Sequence, residues 1–211
     1  MFASLRRRTL LAAGLLALSG AVSASQGHSH DKPFETIPAL PQPAGKIEVL
    51  EFFQYGCGHC AKFEPVMADW KKKQGPDIVV RRVPVAFDNA RVPHVRIYYT
   101  LEAMGLVDRL HQKVFAAVQE QRLPLNQMSE IADFMESQGV NRREWLDQYN
   151  SFMVAQKTMG AQQIWRSYQV DGTPAVGVAG KYLTAPFMVG SLDGTIKQIN
   201  ELIAKERSAK K

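Results

Sequence analysis

The feature that most constrains this chain is a pair of cysteines at the point where a strand pattern changes into a helix pattern. The apolar run Ile47–Phe53 has strand character, and the tetrapeptide CGHC at positions 57–60 opens a segment whose apolar residues recur at helical spacing. Two cysteines two residues apart can close a small disulfide ring and reopen it. This placement favours redox chemistry, and the alternative is a static disulfide or an inert reduced pair.

The N-terminal segment predicts export from the cytoplasm. Arg6, Arg7 and Arg8 precede the apolar run Leu10–Val22, so we interpret Met1–Ala24 as a secretory signal peptide rather than a membrane span. Its removal takes away three of the 26 Lys and Arg residues and none of the 20 Asp and Glu residues. The small positive charge that remains gives no case for a nucleic-acid partner.

The positions of the cysteines indicate a chemical role rather than a structural disulfide. An exported protein works where disulfides persist, yet both cysteines of the chain lie in the one CxxC, and none closes a long loop. A four-cysteine zinc site within one chain is excluded, and we predict no metal site. A metal carrier that uses Cys57, Cys60 and the N-terminal histidines His28 and His30 is the rival interpretation.

The order of patterns along the chain predicts a small α/β sheet with one large insertion. Strands over Ile47–Phe53 and Ile78–Val85 flank the CxxC helix, which makes a βαβ unit, and a hairpin and a last helix follow much later. The stretch between is almost entirely helical in pattern and is large enough for a small bundle. The predicted divisions are a signal peptide (1–24), a lead-in with an edge strand (25–46), the sheet domain (47–88 and 170–211) and the helical insertion (89–169).

The two cysteines are expected to have different roles. Cys57 is predicted to be the first helical residue, where unpaired N–H groups and the helix dipole favour a thiolate. Cys60 lies one turn further in, away from solvent, so Cys57 is the exchanging sulfur and Cys60 the resolving one. Between them, His59 could lower the pKa of Cys57 and make the disulfide a stronger oxidant, or could be an exposed spacer.

Two further positions carry open alternatives. Glu51 alternates onto the apolar face of its strand, where its carboxyl could exchange a proton with Cys60 or could be a strand-end residue that is partly solvated or paired with a lysine. The pair Thr173-Pro174 follows Gly172 and precedes the returning strand. A trans bond is the ordinary expectation, but a cis turn beside Cys57 would offer Thr173 backbone groups to an extended peptide.

Taken together, the signal peptide, the segment LEFFQYGCGHCAKFEP, the helical insertion and the segments GTPAV and GKYL resemble the DsbA family of periplasmic thiol oxidases. The likeness covers essentially the whole mature chain. It implies an α/β thioredoxin-like fold with a large helical insertion domain, and no cofactor beyond the Cys57–Cys60 disulfide. It also implies reoxidation by a DsbB-type, quinone-linked membrane oxidase.

The resemblance carries roles onto individual residues. It implies that Cys57 is the nucleophile, Cys60 its buried partner, His59 a tuning residue, Glu51 the buried acid and Thr173-Pro174 a cis-proline loop that binds substrate. The best-known members have proline where this chain has Gly58 and valine where it has Thr173. Both positions tune redox potential and substrate release.

The interpretation favoured by the sequence is a monomeric periplasmic oxidase that donates the Cys57–Cys60 disulfide to reduced exported proteins. A disulfide isomerase or reductase on the same fold is the nearest alternative, although no segment suggests the dimerisation domain of a bacterial isomerase. A peptide-binding or chaperone module with an incidental CxxC is the alternative from another class. Refolding and insulin-reduction assays beside a chaperone assay would separate them.

Overall fold

A five-stranded mixed sheet lies at the centre of the computed structural model, which describes residues 32–209. The predicted signal peptide, His28 and His30 therefore lie outside the described residues. The strand order is β1-β5-β4-β2-β3; β2 and β3 are parallel and the other neighbours antiparallel. In chain order the strands are β1 (Glu35–Thr36), β2 (Ile47–Phe53), β3 (Ile78–Pro84), β4 (Ala175–Val178) and β5 (Tyr182–Thr184).

Helices connect and cover the strands. One lies between β2 and β3, five follow one another between β3 and β4, and two follow β5. They are α1 (Gly58–Lys72), α2 (Val92–Ala103), α3 (Val107–Gln119), α4 (Met128–Ser137), α5 (Arg142–Tyr149), α6 (Phe152–Ser167), α7 (Pro186–Val189) and α8 (Leu192–Ala209). Among residues 32–209 no helix has the length and apolar character needed to cross a membrane.

The unit β2-α1-β3 agrees with the βαβ pattern read from the sequence. Parallel strands need a crossover between them, and α1 supplies it. All seven residues of β2 are buried, so this strand is the centre of the molecule. One boundary differs slightly: β3 ends at Pro84 rather than at Val85.

The strand β2 contributes to two hydrophobic cores. Ile47 and Val49 pack with apolar residues of α1 and α8. Leu50, Phe52 and Phe53 belong to the larger core, which continues into the helices between β3 and β4. This strand is therefore packed against both the sheet domain and the helical insertion.

The predicted hairpin is present as β4 and β5, joined through Ala179 and Gly180, which have φ values of 55° and 64°. The lead-in contributes the short edge strand β1, which pairs with β5. Gly177 of β4 lies against the Tyr168 ring, where an added Cβ would meet a ring carbon at 2.3 Å. This close approach anchors the end of α6 to the sheet and brings the following loop back toward α1.

Candidate active site

Cys57 is the N-cap of α1 and not its first helical residue, which corrects the sequence prediction by one position. Its backbone is extended, with φ −97° and ψ 111°, and its sulfur accepts a hydrogen bond from the Cys60 N–H at 3.2 Å. An N-cap side chain normally satisfies one of the free N–H groups of the first turn. Here a sulfur does so, which suits a thiolate better than a thiol.

The two thiols are free and differ in exposure: Cys57 is partly exposed and Cys60 is buried. A turn of helix separates them, so the Cys60 side chain points into the larger core while Cys57 stays at the surface. An incoming sulfur can therefore reach Cys57 and not Cys60. This is the asymmetry predicted from their positions in the sequence.

The surroundings of Cys57 lower its pKa to about 6. The largest cause is the hydrogen bond from the Cys60 thiol; the backbone N–H of Cys60, the Thr173 side chain and the backbone N–H of His59 act in the same direction, and partial burial opposes them. For Cys60, burial and the neighbouring Cys57 raise the pKa far above its ordinary value. At neutral pH the reduced pair is thus a surface thiolate beside a buried thiol.

The loop before β4 lies against the exposed cysteine. The Thr173–Pro174 peptide bond is cis, and the Cys57 thiol donates to the Thr173 carbonyl at 3.3 Å. That carbonyl accepts only from the protonated thiol, whereas the Thr173 side chain stabilises the thiolate. Both features of this loop that the sequence left open, its cis bond and its contact with Cys57, are therefore present.

A groove of about 380 Å³ opens beside the CxxC and joins it to this loop. His59 is exposed and forms one wall, and Phe187, 49% exposed, forms part of another. Gly172 borders it, since a Cβ there would lie 3.8 Å from the Phe187 ring. The lining residues are His59, Thr173, Pro174, Pro186, Phe187, Gly190, Ser191 and Leu192.

On the other side of the CxxC, the helical insertion supports the loop between β2 and α1. Gln119 Nε2 donates to the Tyr55 carbonyl at 2.6 Å, and its Oε1 lies 3.4 Å from the place a Cβ would take on Gly58. The Arg91 guanidinium lies over Gly56, with Nη1 2.9 Å from the equivalent position. Both glycines thus let side chains from the insertion approach the redox centre closely.

Beneath α1 the structure places a buried cluster of charged groups around Glu51, which is 2% exposed. The Arg82 guanidinium bonds both oxygens of Glu64 and lies 3.5 Å from Glu51 Oε2. Burial, and then the charge of Glu64, raises the pKa of Glu51 well above its ordinary value. Glu51 is therefore a protonated buried acid and not a solvated strand end.

Sequence reasoning missed most of this cluster. Glu64 occupies a helical position four residues after Cys60 on the buried face of α1, and Arg82, with Arg81 beside it, interrupts the apolar strand β3. Each is a charged residue at an apolar-facing position, the same signal that identified Glu51. His111, which approaches Glu64 from α3, carried no such signal, because only the tertiary fold brings α3 to α1.

Among residues 32–209, no group of three or more His, Cys, Asp or Glu side chains could hold a metal ion. The histidines of the metal-carrier interpretation, His28 and His30, lie outside that range. The arrangement at the CxxC suits disulfide exchange, because a partly exposed sulfur with a lowered pKa lies beside a buried sulfur and an open groove.

Comparison with known proteins agrees with this chemistry. A family model described as a DSBA-like thioredoxin domain matches residues 88–195. The thiol:disulfide interchange protein DsbA of Burkholderia cepacia is 40% identical over 203 residues, which cover 95% of this chain and 93% of that protein. The likeness to this relative covers nearly the whole chain, whereas the match to the family model begins after the CxxC.

Solved structures show the same architecture. The crystal structure of Pseudomonas aeruginosa DsbA is 36% identical with a TM-score of 0.82, and covers 84% of this chain and 94% of that one. The oxidoreductase DsbA of Xylella fastidiosa is 28% identical with a TM-score of 0.77, and covers 84% and 96%. They confirm the predicted fold class, a thioredoxin-like α/β sheet with α2 to α6 inserted.

Proposed function

This chain belongs to the DsbA family of thiol:disulfide interchange proteins, and from that premise we propose that it donates the Cys57–Cys60 disulfide to reduced exported proteins in the periplasm. The family and the activity class inferred from the sequence are confirmed: it is a thiol:disulfide oxidoreductase of the oxidising DsbA type. The periplasmic location, the exported substrates and the assignment of roles to single residues belong to the proposal.

The observation that carries the proposal is the stabilisation of the Cys57 sulfur as a thiolate. A cysteine with a low pKa leaves a disulfide faster, and its thiolate is more stable in the reduced protein. The Cys60 N–H bonds this sulfur, and the Cys60 thiol and the His59 N–H also lower its pKa, so the reduced enzyme is favoured over its own disulfide. A favoured reduced state makes the disulfide form a good oxidant.

The reaction follows from the exposure of the two sulfurs. A substrate thiolate attacks Cys57 Sγ; a bond forms between the substrate sulfur and Cys57, the Cys57–Cys60 bond breaks, and Cys60 leaves as a thiolate that takes up a proton. A second substrate thiolate then attacks the first substrate sulfur and displaces Cys57 as a thiolate. Two substrate thiols become one disulfide, and the two electrons remain on the enzyme cysteines.

The supporting residues act on separate steps. The groove along His59, Thr173 and Pro174 holds an extended substrate segment beside Cys57, with the Thr173 backbone positioned to pair with it. Gly172 leaves room for that segment next to Phe187. Glu51, a protonated acid near the base of α1, supplies the proton that the departing Cys60 thiolate requires.

Return to the disulfide form requires an electron acceptor, and a DsbB-type membrane oxidase linked to quinone fills this role in the proposal. Such an oxidase would approach the same exposed sulfur, because Cys60 is out of reach. The enzyme works as a monomer. Thiol–disulfide exchange passes electrons between sulfur atoms alone, so the proposed reaction uses no cofactor beyond the cysteine pair.

The decisive experiment combines three assays on the mature protein. The oxidised enzyme should convert a reduced two-cysteine substrate to its disulfide in one stoichiometric turnover, and Cys57→Ser should abolish this. If the protein reshuffled a scrambled substrate faster than it oxidised a reduced one, the isomerase interpretation would be favoured. Rapid reduction of insulin would favour the reductase interpretation. Suppression of aggregation that survives in the Cys57→Ser protein, with no oxidation by the wild type, would favour the chaperone.

A further inference from the structure

A buried histidine contacts the acidic cluster and has no part in the reaction described above. His111 of α3 is 3% exposed and approaches α1 from the helical insertion. Its Nδ1 lies 2.7 Å from the Tyr55 hydroxyl, and its Nε2 lies 3.4 Å from Glu64 Oε2. One imidazole therefore joins the loop that precedes Cys57 to the carboxylate that lies one helical turn after Cys60.

The two carboxyls of the cluster have unequal partners. Glu64 accepts two hydrogen bonds from the Arg82 guanidinium, with Nε at 3.0 Å, and the Nε2 of His111 faces it at 3.4 Å in a weaker contact. Glu51 Oε2 is 3.5 Å from the same guanidinium, and Glu64 raises the pKa of Glu51. If two buried carboxyls beside one guanidinium both ionised, one negative charge would be unpaired, so one of them holds a proton. Arg82 bonds Glu64 directly and the imidazole faces it, so Glu64 is the one that ionises.

We propose that His111 is a positioning residue that keeps Glu64 ionised and so assigns the shared proton of the buried pair to Glu51. The assignment rests on the tautomer of the ring. We assign the Tyr55 O–H as the donor to Nδ1, because this gives the buried hydroxyl proton an acceptor and leaves the ring proton on Nε2, facing the Glu64 carboxylate.

The surroundings of His111 disfavour its charged form. Phe53, Phe115 and Tyr98 lie edge-on around the ring with centroids at 5.0, 5.2 and 5.6 Å. Burial lowers the pKa of His111, with Arg82 in the same direction and Glu64 in the opposite one. The titratable and charged groups that face the cluster are Glu51 on β2, Tyr55 in the following loop, Glu64 and Lys71 on α1, Arg82 on β3 and Tyr98 on α2.

The directions at the two carboxyls agree with this assignment. For Glu64, burial acts to raise the pKa, but His111 and then Arg82 outweigh it, and the pKa is lowered. For Glu51 the pKa is raised by burial and by the ionised Glu64. Removal of the His111 donor should let the proton move from Glu51 toward Glu64.

The consequence for catalysis rests on the role proposed above for Glu51. A proton on Glu51 is available to Cys60 when the enzyme disulfide opens. The reverse step, in which the Cys60 thiolate attacks Cys57 bonded to glutathione and expels the glutathione thiolate, needs Glu51 as a base. His111 thus favours the donating direction and slows loss of the mixed disulfide to the internal thiol.

The test is a carboxyl titration followed by NMR on reduced protein labelled with ¹³C at the glutamate side chains. Glu51→Gln and Glu64→Gln assign the two buried signals. In His111→Leu, the pKa of Glu64 should rise by about one unit, a tenfold change in its ionisation constant, because a charged carboxylate loses a donor. The signal of Glu51 should move the opposite way.

Matched variants separate the hydrogen-bonding role of His111 from the space it fills. His111→Gln keeps a donor toward Glu64 and an acceptor for Tyr55, so both carboxyls should keep their wild-type pKa values. His94→Leu removes another buried histidine, which bonds the Pro124 carbonyl, and should change neither. The pH dependence of the rate at which glutathione leaves the mixed disulfide should shift to lower pH in His111→Leu and stay unchanged in His94→Leu.

Unchanged pKa values of Glu51 and Glu64 in His111→Leu would overturn the proposal. The same carboxyl pKa values in His111→Gln as in His111→Leu would also overturn it. If the His111→Leu protein does not fold, Tyr55→Phe serves as the test. Without the hydroxyl the ring proton is free to move to Nδ1, and the pKa of Glu64 should rise. No change there would also refute the assignment. These readouts do not depend on oxidase activity, so failure of the proposed function would be seen separately.

Discussion

The sulfur of Cys57 lies 3.2 Å from the backbone nitrogen of Cys60 and accepts its hydrogen bond. This contact makes the reactive sulfur an integral part of the start of α1, since it replaces the oxygen of an ordinary N-cap side chain. Reduction of the disulfide therefore lets the Cys57 sulfur act as the N-cap of α1. The oxidising character of the pair and the local structure of the helix have the same cause.

The first prediction concerns the ionisation of Cys57. Its thiolate absorbance in the ultraviolet should appear with a midpoint near pH 6, compared with about 8.5 for free cysteine. Cys60→Ala should move the midpoint upward, because the Cys60 thiol is the largest cause of the lowered pKa. Cys57→Ser should remove the transition altogether, and a wild-type midpoint near that of free cysteine would contradict the mechanism.

Stability should depend on redox state and on pH together. The pKa of Cys57 is lower in the folded reduced protein than in the unfolded chain, so its stabilisation is complete above the unfolded value and is lost as the pH falls through about 6. At pH 7 the reduced protein should resist urea better than the oxidised one, against the usual effect of a disulfide. Below pH 5 that advantage should disappear.

Urea unfolding of both redox forms at several pH values measures this directly. The Cys57→Ser, Cys60→Ser protein gives the baseline without thiol ionisation. An oxidised form that is clearly the more stable at pH 7 would indicate a reductant or a structural bridge.

Thr173 should tune the oxidant through its hydroxyl. In Thr173→Val, Cys57 loses a donor that lowers its pKa, so the midpoint should rise by roughly half a unit to one unit. The equilibrium with glutathione should shift toward the enzyme disulfide. Thr173→Ser keeps the hydroxyl and serves as the matched control; equal values for the valine and serine proteins would exclude the hydroxyl.

His59 is predicted to strengthen the oxidant, although its side chain is exposed. His59→Ala should raise the pKa of Cys57 and make the enzyme disulfide less oxidising, which a redox titration against glutathione measures. The backbone N–H of His59 also stabilises the thiolate and remains in the variant. Lys62→Ala, at another solvent-facing position of α1, controls for the loss of a surface side chain. An unchanged potential would assign the whole effect to the backbone.

Arg82 should be essential for stability. In Arg82→Leu, the buried Glu64 carboxylate loses its bidentate partner, and the free energy of unfolding should fall by roughly 3–5 kcal/mol at pH 7. Because the pKa of Glu64 is lowered by its partners, the loss should shrink as acid protonates the carboxylate below about pH 4. Arg142→Ala, which removes an ion pair on the surface, should change little.

Local features of the fold were predictable because they depend on neighbouring residues. The apolar run Ile47–Phe53 marked β2, and the strand patterns after the helical stretch marked the hairpin of β4 and β5. The thiolate character of Cys57 was also predictable in direction, since it depends on the free N–H groups that every helix start presents. Its position as the cap, one residue earlier than predicted, was within the usual uncertainty of helix ends.

The sequence by itself determined the redox pair, its asymmetry and the order of strands and helices, because these are set by spacing along the chain. Only the tertiary structure decided which distant groups surround the pair. Thr173 meets Cys57 across 116 positions, and Tyr55 meets His111 across 56. The buried carboxyl pair beneath α1 has its charge set by such contacts, because desolvation and ion pairing depend on what the fold packs together and not on what precedes or follows a residue.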